Sequence, residues 1–132
     1  RVIEEEIDFN KSVEAVIDWI NQNSNWDETL LIVTGDHETG YLTGPGSGPN
    51  TDDPNDDIKP VWNPLINNGA GNLPGMEWHS GGHTNSLIPF FAKGARASLF
   101  NTRIVGVDPV RGSYIDNTEI AKVIFELLKR DE

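Results

Sequence analysis

A chain of 132 residues with a formal net charge of −11 and no cysteine suits one domain or one piece of a larger one, built without disulfides or thiolate metal sites. Its 21 acidic against 10 basic residues argue against a nucleic-acid phosphate backbone or an anionic membrane as partner, and they favour solubility. With 36% hydrophobic and 23% charged residues the chain should fold around a core, and no apolar run approaches the ~20 residues that span a bilayer. No signal peptide is visible and the first residue is Arg1 rather than Met, so further chain is expected upstream.

In chain order, "IDFNKSVEAVIDWINQN" reads as an amphipathic helix. Val13, Val16, Ile17 and Ile20 recur at i, i+3, i+4 and i+7 and share one stripe, with Asp8 or Asn10 placed to cap the first turn. "WDETLLIVTGD" then supplies a short apolar run without alternation. Such a strand is buried on both faces, as in a helix-flanked parallel sheet. A helix leading directly into it is half of an α/β unit.

From Gly40 to about Trp78 the sequence is turn-rich. "GPGSGPNTDDPNDD" and "NPLINNGAGNLPG" predict long irregular loops, of the kind that belong to a site or an insertion. "SLIPFFAKG" reads as a second strand, with Pro89 marking an edge or a strand start, and "TRIVGVD" as a third. The chain closes in "DNTEIAKVIFELLKR", a helix with Asp116 and Glu119 as a capping box. Its stripe is Ile120, Val123, Ile124 and Leu127, and Lys129 with Arg130 suit its C-terminus. The strand at 30–34 wants neighbours on both sides, more than this chain supplies.

The chemistry gathers in two glycine-flanked loops. Asp36 and His37 follow the apolar strand directly, and the remaining histidines, His79 and His83, lie in "EWHSGGHTNS". Adjacent residues of a regular strand point to opposite faces; at a strand end beside glycine that restriction lifts, and the two side chains can converge. A carboxylate with an imidazole suits Zn²⁺ or Mn²⁺. The competing reading is an ordinary turn in which Asp36 caps the following backbone. His79 and His83 have helical ligand spacing, which Ser80-Gly81-Gly82 argues against. "DDPNDD" at 52–57 lacks the spacing of a calcium loop and reads as a solvated acidic loop. Trp19, Trp26, Trp62 and Trp78 read as packing residues rather than a binding platform.

"VTGDHETG" after the apolar strand, followed by "WHSGGHTNSLIPFFAKG", resembles the C-terminal part of alkaline phosphatases. That family's late Asp-His pair follows a strand and often continues E-T-G, and its last histidine lies in a G/E-H-T element that leads into a strand. The lead-in and terminal helices fall in the same order, so the resemblance covers essentially residues 1–132 as a C-terminal portion, with the loop-rich stretch at about 40–78 as an insertion. The resemblance implies an α/β fold whose helix-flanked, mostly parallel sheet extends beyond this chain.

Carried over, Asp36 and His37 resemble ligands of the zinc ion that activates the nucleophile, and His83 a ligand of the zinc ion that readies the attacking water. Glu38 and Thr39 match the E-T-G continuation, where a part in orienting His37 is implied; His79 has no counterpart role and is the weaker ligand candidate. In the family a serine attacks the phosphorus of a phosphate monoester, and the phosphoserine is then hydrolysed. That serine, a D-x-x-x-H ligand pair and the glutamate of an accompanying Mg²⁺ lie ahead of the region resembled here, and nothing in this sequence matches them. The resemblance therefore implies a phosphomonoesterase fragment, inactive alone, that works with the remainder of its enzyme chain. It also implies a homo-oligomeric enzyme, periplasmic or extracellular in location. A metal-dependent phosphomutase or phosphodiesterase of the same superfamily, or a non-catalytic metal-binding domain, is the alternative.

Overall fold

The computed structural model of the chain describes residues 1–48 and 62–129; the acidic run at 52–57 and Arg130 lie outside them. In order the elements are α1 (Val2–Asn23), β1 (Leu30–Thr34), β2 (Glu38–Thr39), β3 (Leu42–Thr43), β4 (Glu77–Trp78), β5 (His83–Thr84), β6 (Phe90–Gly94), a 3-10 helix (Ala97–Arg103), β7 (Gly106–Asp108), β8 (Gly112–Tyr114) and α2 (Asn117–Leu128). The class is mixed α/β, with two α-helices and small antiparallel sheets among the described residues. The pairings there are antiparallel throughout, so the expected parallel neighbours of β1 are not among them. The chain divides into two units, Arg1–Thr34 with Pro89–Glu132, and Gly35–Ile88.

In the first unit β1 pairs with β6 in the register Leu30↔Gly94 to Thr34↔Phe90. Pro89 has no N–H to give a ladder, and β6 begins directly after it, which is the position proline tolerates. At the other end the chain must turn sharply. Gly94 adopts φ 103, and a Cβ there would stand 2.0 Å from the Thr29 carbonyl oxygen. That carbonyl instead accepts the Ala95 N–H at 2.9 Å. Only glycine fits. The turn leads through Arg96, at φ 53, into the 3-10 helix, whose Phe100 is buried and meets the Phe90 ring edge-on at 4.8 Å.

Asp116 caps α2 as the sequence implies: its carboxylate accepts the Thr118 N–H at 2.9 Å and the Thr118 hydroxyl at 2.5 Å. Those two donors hold the Asp116 carboxyl below its usual range, the hydroxyl first. The second half of the predicted capping box is absent. Glu119 gives its carboxylate to Lys122 and to Arg103, at 2.5 and 3.7 Å, and a flexible cation outcompetes a single backbone N–H for it. The α1 cap is also corrected. The helix begins at Val2, so Asp8 and Asn10 are interior, and Asp8 accepts from Lys11 at 3.0 Å. Glu4 and Glu5 favour the positive end of the helix dipole and carry it upstream.

The apolar stripes are only partly covered: Ile20 and Val123 are buried, whereas Val16 and Ile124 are exposed, as are Phe125 and Leu128 outside the stripe of α2. None of the residues of β1 is fully buried, against the expectation of a strand covered on both faces, because among the described residues it has one sheet partner and an open second edge. Of the tryptophans, Trp26 fits the packing role, with Lys93 4.3 Å above its ring and Asn21 accepting from its indole N–H at 3.0 Å. Trp19 and Trp78 are exposed.

This burial pattern separates two valines of the stripes. Val123→Ala removes side-chain volume from a fully buried site and is expected to lower stability by about 2 kcal/mol. Val16→Ala, at an exposed position, should change it by less than about 0.5 kcal/mol. Urea unfolding followed by circular dichroism checks the pair; equal effects would contradict the burial assigned to α1 and α2.

Candidate metal centre

The second unit is built on two chain segments, 38–43 and 77–84, that run antiparallel. β2 pairs with β5 in the register Glu38↔Thr84 and Thr39↔His83, and β3 pairs with β4 in the register Leu42↔Trp78 and Thr43↔Glu77. The two registers differ by two residues, and the slack is taken up at Ser80 and Gly81. Opposite them the Gly40 carbonyl accepts both His79 N–H at 3.1 Å and Ser80 N–H at 3.0 Å, while Gly40 N–H donates to the Gly82 carbonyl at 2.9 Å. Gly40 holds φ 83, and an added Cβ would stand 2.3 Å from the Trp78 ring. The stretch expected to be loop from Gly40 to Trp78 thus has a two-residue strand close to either end, and an isolated bridge joins Ile66 to Gly75.

This ladder decides which candidate residues meet. His83 is opposite Thr39, and His37, two residues before Thr39, is its diagonal neighbour on the same face. The His37 and His83 rings lie 3.7 Å apart between centroids, tilted by 35°. Asp36 and His37 form a bend. There one Asp36 oxygen accepts the His37 N–H at 3.0 Å and the other lies 3.4 Å from His37 Nε2. Asp36 is therefore both a turn cap and a neighbour of the imidazole. The two readings of the sequence are not exclusive.

The His37 tautomer follows from its other nitrogen. Nδ1 is 3.1 Å from the Glu38 backbone carbonyl, which can only accept, so Nδ1 carries the hydrogen. The Thr39 hydroxyl stands 3.4 Å from the same nitrogen. Nε2 is then the free position, and it faces a carboxylate oxygen. Two acceptors facing one another call for a proton or a metal cation between them. Backbone N–H groups of Asp36 and then His37 hold the Asp36 carboxyl below its usual range, and His37 and His83, in their protonated forms, add to this. The carboxylate is thus an anion at neutral pH, and it is 86% exposed.

His79 is not part of the cluster. The backbone slip sets it against Tyr41, ring edge to ring face at 6.0 Å, and its buried Nε2 has no hydrogen-bond partner among the described residues. Glu38 meets His37 through its backbone and not through its side chain. Its carboxylate does not touch His37; it accepts the Tyr41 N–H at 2.5 Å and the Thr84 hydroxyl. It is the Glu38 backbone, together with the Thr39 side chain, that faces the imidazole. Thr84 and Tyr41 went unnoticed in the sequence, and the only trace of Thr84 there was its place after His83 in "GHT".

Asp36, His37 and His83 supply a carboxylate and two imidazoles, donors that suit Zn²⁺. Among the described residues no three such side chains are arranged to enclose one ion, so a closed centre requires further donors. No family model matches the chain, and neither a curated protein nor a solved structure matches it.

The geometry at Gly40 makes a direct prediction. Gly40→Ala puts a methyl group into the Trp78 ring at a backbone angle that alanine resists. Hydrogen-exchange protection of the Gly40, His79 and Ser80 amides is expected to fall by at least about tenfold, with the β1–β6 amides unchanged. Unaltered protection at those three amides would contradict the register described.

Proposed function

We propose that this chain is the C-terminal part of an alkaline-phosphatase-like phosphomonoester hydrolase, in which Asp36 and His37 hold one zinc ion and His83 another. The observation that carries this reading is the 3.7 Å ring contact joining His37 and His83, from two separate motifs, beside the Asp36 carboxylate. The resemblance divides the three donors between two ions and takes the remaining donors from other parts of the enzyme. When bound, paired zinc ions offset the charge on the phosphoryl group and on its entering and leaving oxygens. Bound at Asp36, His37 and His83, they would also relieve the repulsion between substrate and a chain of charge −11.

The residues of this chain do the holding. The Glu38 carbonyl fixes the imidazole so that Nε2 presents its lone pair, and the anionic Asp36 stands beside that nitrogen. The edge of β1 that is open among the described residues, and the exposed apolar side chains of α1 and α2, support the finer fold reading, a helix-flanked and mostly parallel sheet completed by the rest of the enzyme. The E-T-G continuation and the "GHTNSLIPFFAKG" element favour a phosphatase over a phosphomutase or phosphodiesterase. A non-catalytic metal-binding domain would use the same three donors. An Asp-Ser nucleophile region and a D-x-x-x-H pair elsewhere in the gene distinguish the hydrolase from it.

In the enzyme expressed from its whole gene, His37→Ala is expected to lower zinc affinity roughly ten- to a hundredfold or more. His83→Ala should impair the other ion and let phosphoenzyme accumulate, and His79→Ala should leave both ions in place. Metal content and steady-state phosphoenzyme of the three variants check this, beside the 132-residue chain, which should hydrolyse no chromogenic phosphate ester with excess Zn²⁺ and Mg²⁺. Zinc lost from His79→Ala but kept by His83→Ala would overturn the assignment, and turnover that purifies with the chain would overturn the division of labour.

A further inference from the structure

Glu38 is a half-buried carboxylate for which the reading above has no use. It sits between the two segments that carry the histidines. Glu38 is opposite Thr84 in the β2–β5 register, while Thr39 is opposite His83 one residue along. Strand alternation therefore puts Glu38 and Thr84 on one face, and His37, Thr39 and His83 on the other. On the Glu38 face one carboxylate oxygen takes the Tyr41 N–H at 2.5 Å and the other takes the Thr84 hydroxyl. The Thr84 hydroxyl, having donated its proton, accepts the Ser86 N–H at 3.3 Å. Among the described residues no cation pairs with Glu38. Its partners are neutral donors from both segments.

From this geometry we infer that Glu38 is the positioning residue of the site, a strap that sets the separation of the His37 and His83 imidazoles without touching either ring. Two-residue ladders have little stability of their own, and β2–β5 is one of them. A charge-assisted bond across that ladder is stronger than the backbone bonds it supplements. The strap also accounts for Tyr41, a buried residue with φ 45. A left-handed backbone is unfavourable for a non-glycine residue, and the carboxylate offsets this by holding the Tyr41 N–H. With Tyr41 fixed on one side and Thr84 on the other, His37 and His83 have no freedom to drift apart along the ladder.

The consequence for metal binding rests on the zinc reading above; the consequence for ring separation does not, and the experiment keeps the two apart. Glu38→Ala and Thr84→Val each remove one end of the strap. Glu38→Gln keeps an acceptor for Tyr41 and leaves Thr84 free to turn its hydroxyl round and accept. Proton NMR of the 132-residue chain reads the nuclear Overhauser contact between the His37 and His83 rings, and Zn²⁺ titration of the whole enzyme reads affinity. Loss of the ring contact in Glu38→Ala and Thr84→Val, with its recovery in Glu38→Gln, is the expected result. A fall in zinc affinity of roughly tenfold or more in the first two variants accompanies it. If wild-type enzyme binds no zinc while the ring contact behaves as stated, the zinc reading fails and the strap stands. Ring contact retained in Glu38→Ala, or lost equally in Glu38→Gln, overturns the strap. Should Glu38→Ala not fold, Thr84→Val exchanges one hydroxyl for a methyl of the same shape and decides the question alone.

Discussion

The Gly40 carbonyl takes two amide protons at once, from His79 and Ser80, and the geometry of the unit at 35–88 depends on that shared acceptor. It lets one antiparallel pairing end and another begin two residues out of step. Had the first register continued unbroken, Tyr41 would oppose Gly81 and His79 would fall elsewhere on the ladder. With the slip, His83 keeps its place opposite Thr39, His79 turns against Tyr41, and only one of the two histidines reaches His37. A side chain at Gly40 would enter the Trp78 ring. Which histidine meets His37 is thus decided by backbone hydrogen bonding and by one residue's lack of a Cβ.

The same economy governs the cluster. His37 is oriented by a main-chain carbonyl, which no side-chain substitution removes, and its companion Asp36 is held by main-chain N–H groups. Both side chains remain open to solvent, at 42% and 86% exposure. An arrangement that directs a bare imidazole nitrogen at a carboxylate, at the surface and next to a second imidazole, is poor packing. On the zinc reading proposed above, it is sensible coordination chemistry.

Much of this was legible locally. The apolar run of β1, the Asp116 cap, the strand start at Pro89 and the glycine-flanked Asp-His pair all depend on residues within a turn of one another, and the sequence displays them directly. The start of α1 was misplaced because a capping residue at Asp8 carried less weight than the upstream residues from Val2 on, with their helical pattern and favourable charge. The pairing partners of β1 were not legible, since parallel and antiparallel neighbours impose the same burial on an apolar run. Nor could spacing alone divide the work between His79 and His83, four residues apart in a glycine-rich loop. The slip at Ser80 and Gly81 that separates them is a long-range property. Glu38 was noticed for its neighbour His37, whereas its carboxylate partners are Tyr41 and, far along the chain, Thr84.

The central claim is that the ladder register delivers His37 and His83 together, beside Asp36, as cation ligands. Anomalous scattering at the zinc edge, from crystals of the whole enzyme grown with Zn²⁺, tests it most directly. The account predicts one peak within about 2.1 Å of His37 Nε2 and an Asp36 oxygen, and a second at the same distance from a His83 nitrogen. Zinc found on His79, or His37 and His83 standing apart with neither on a metal, would contradict it.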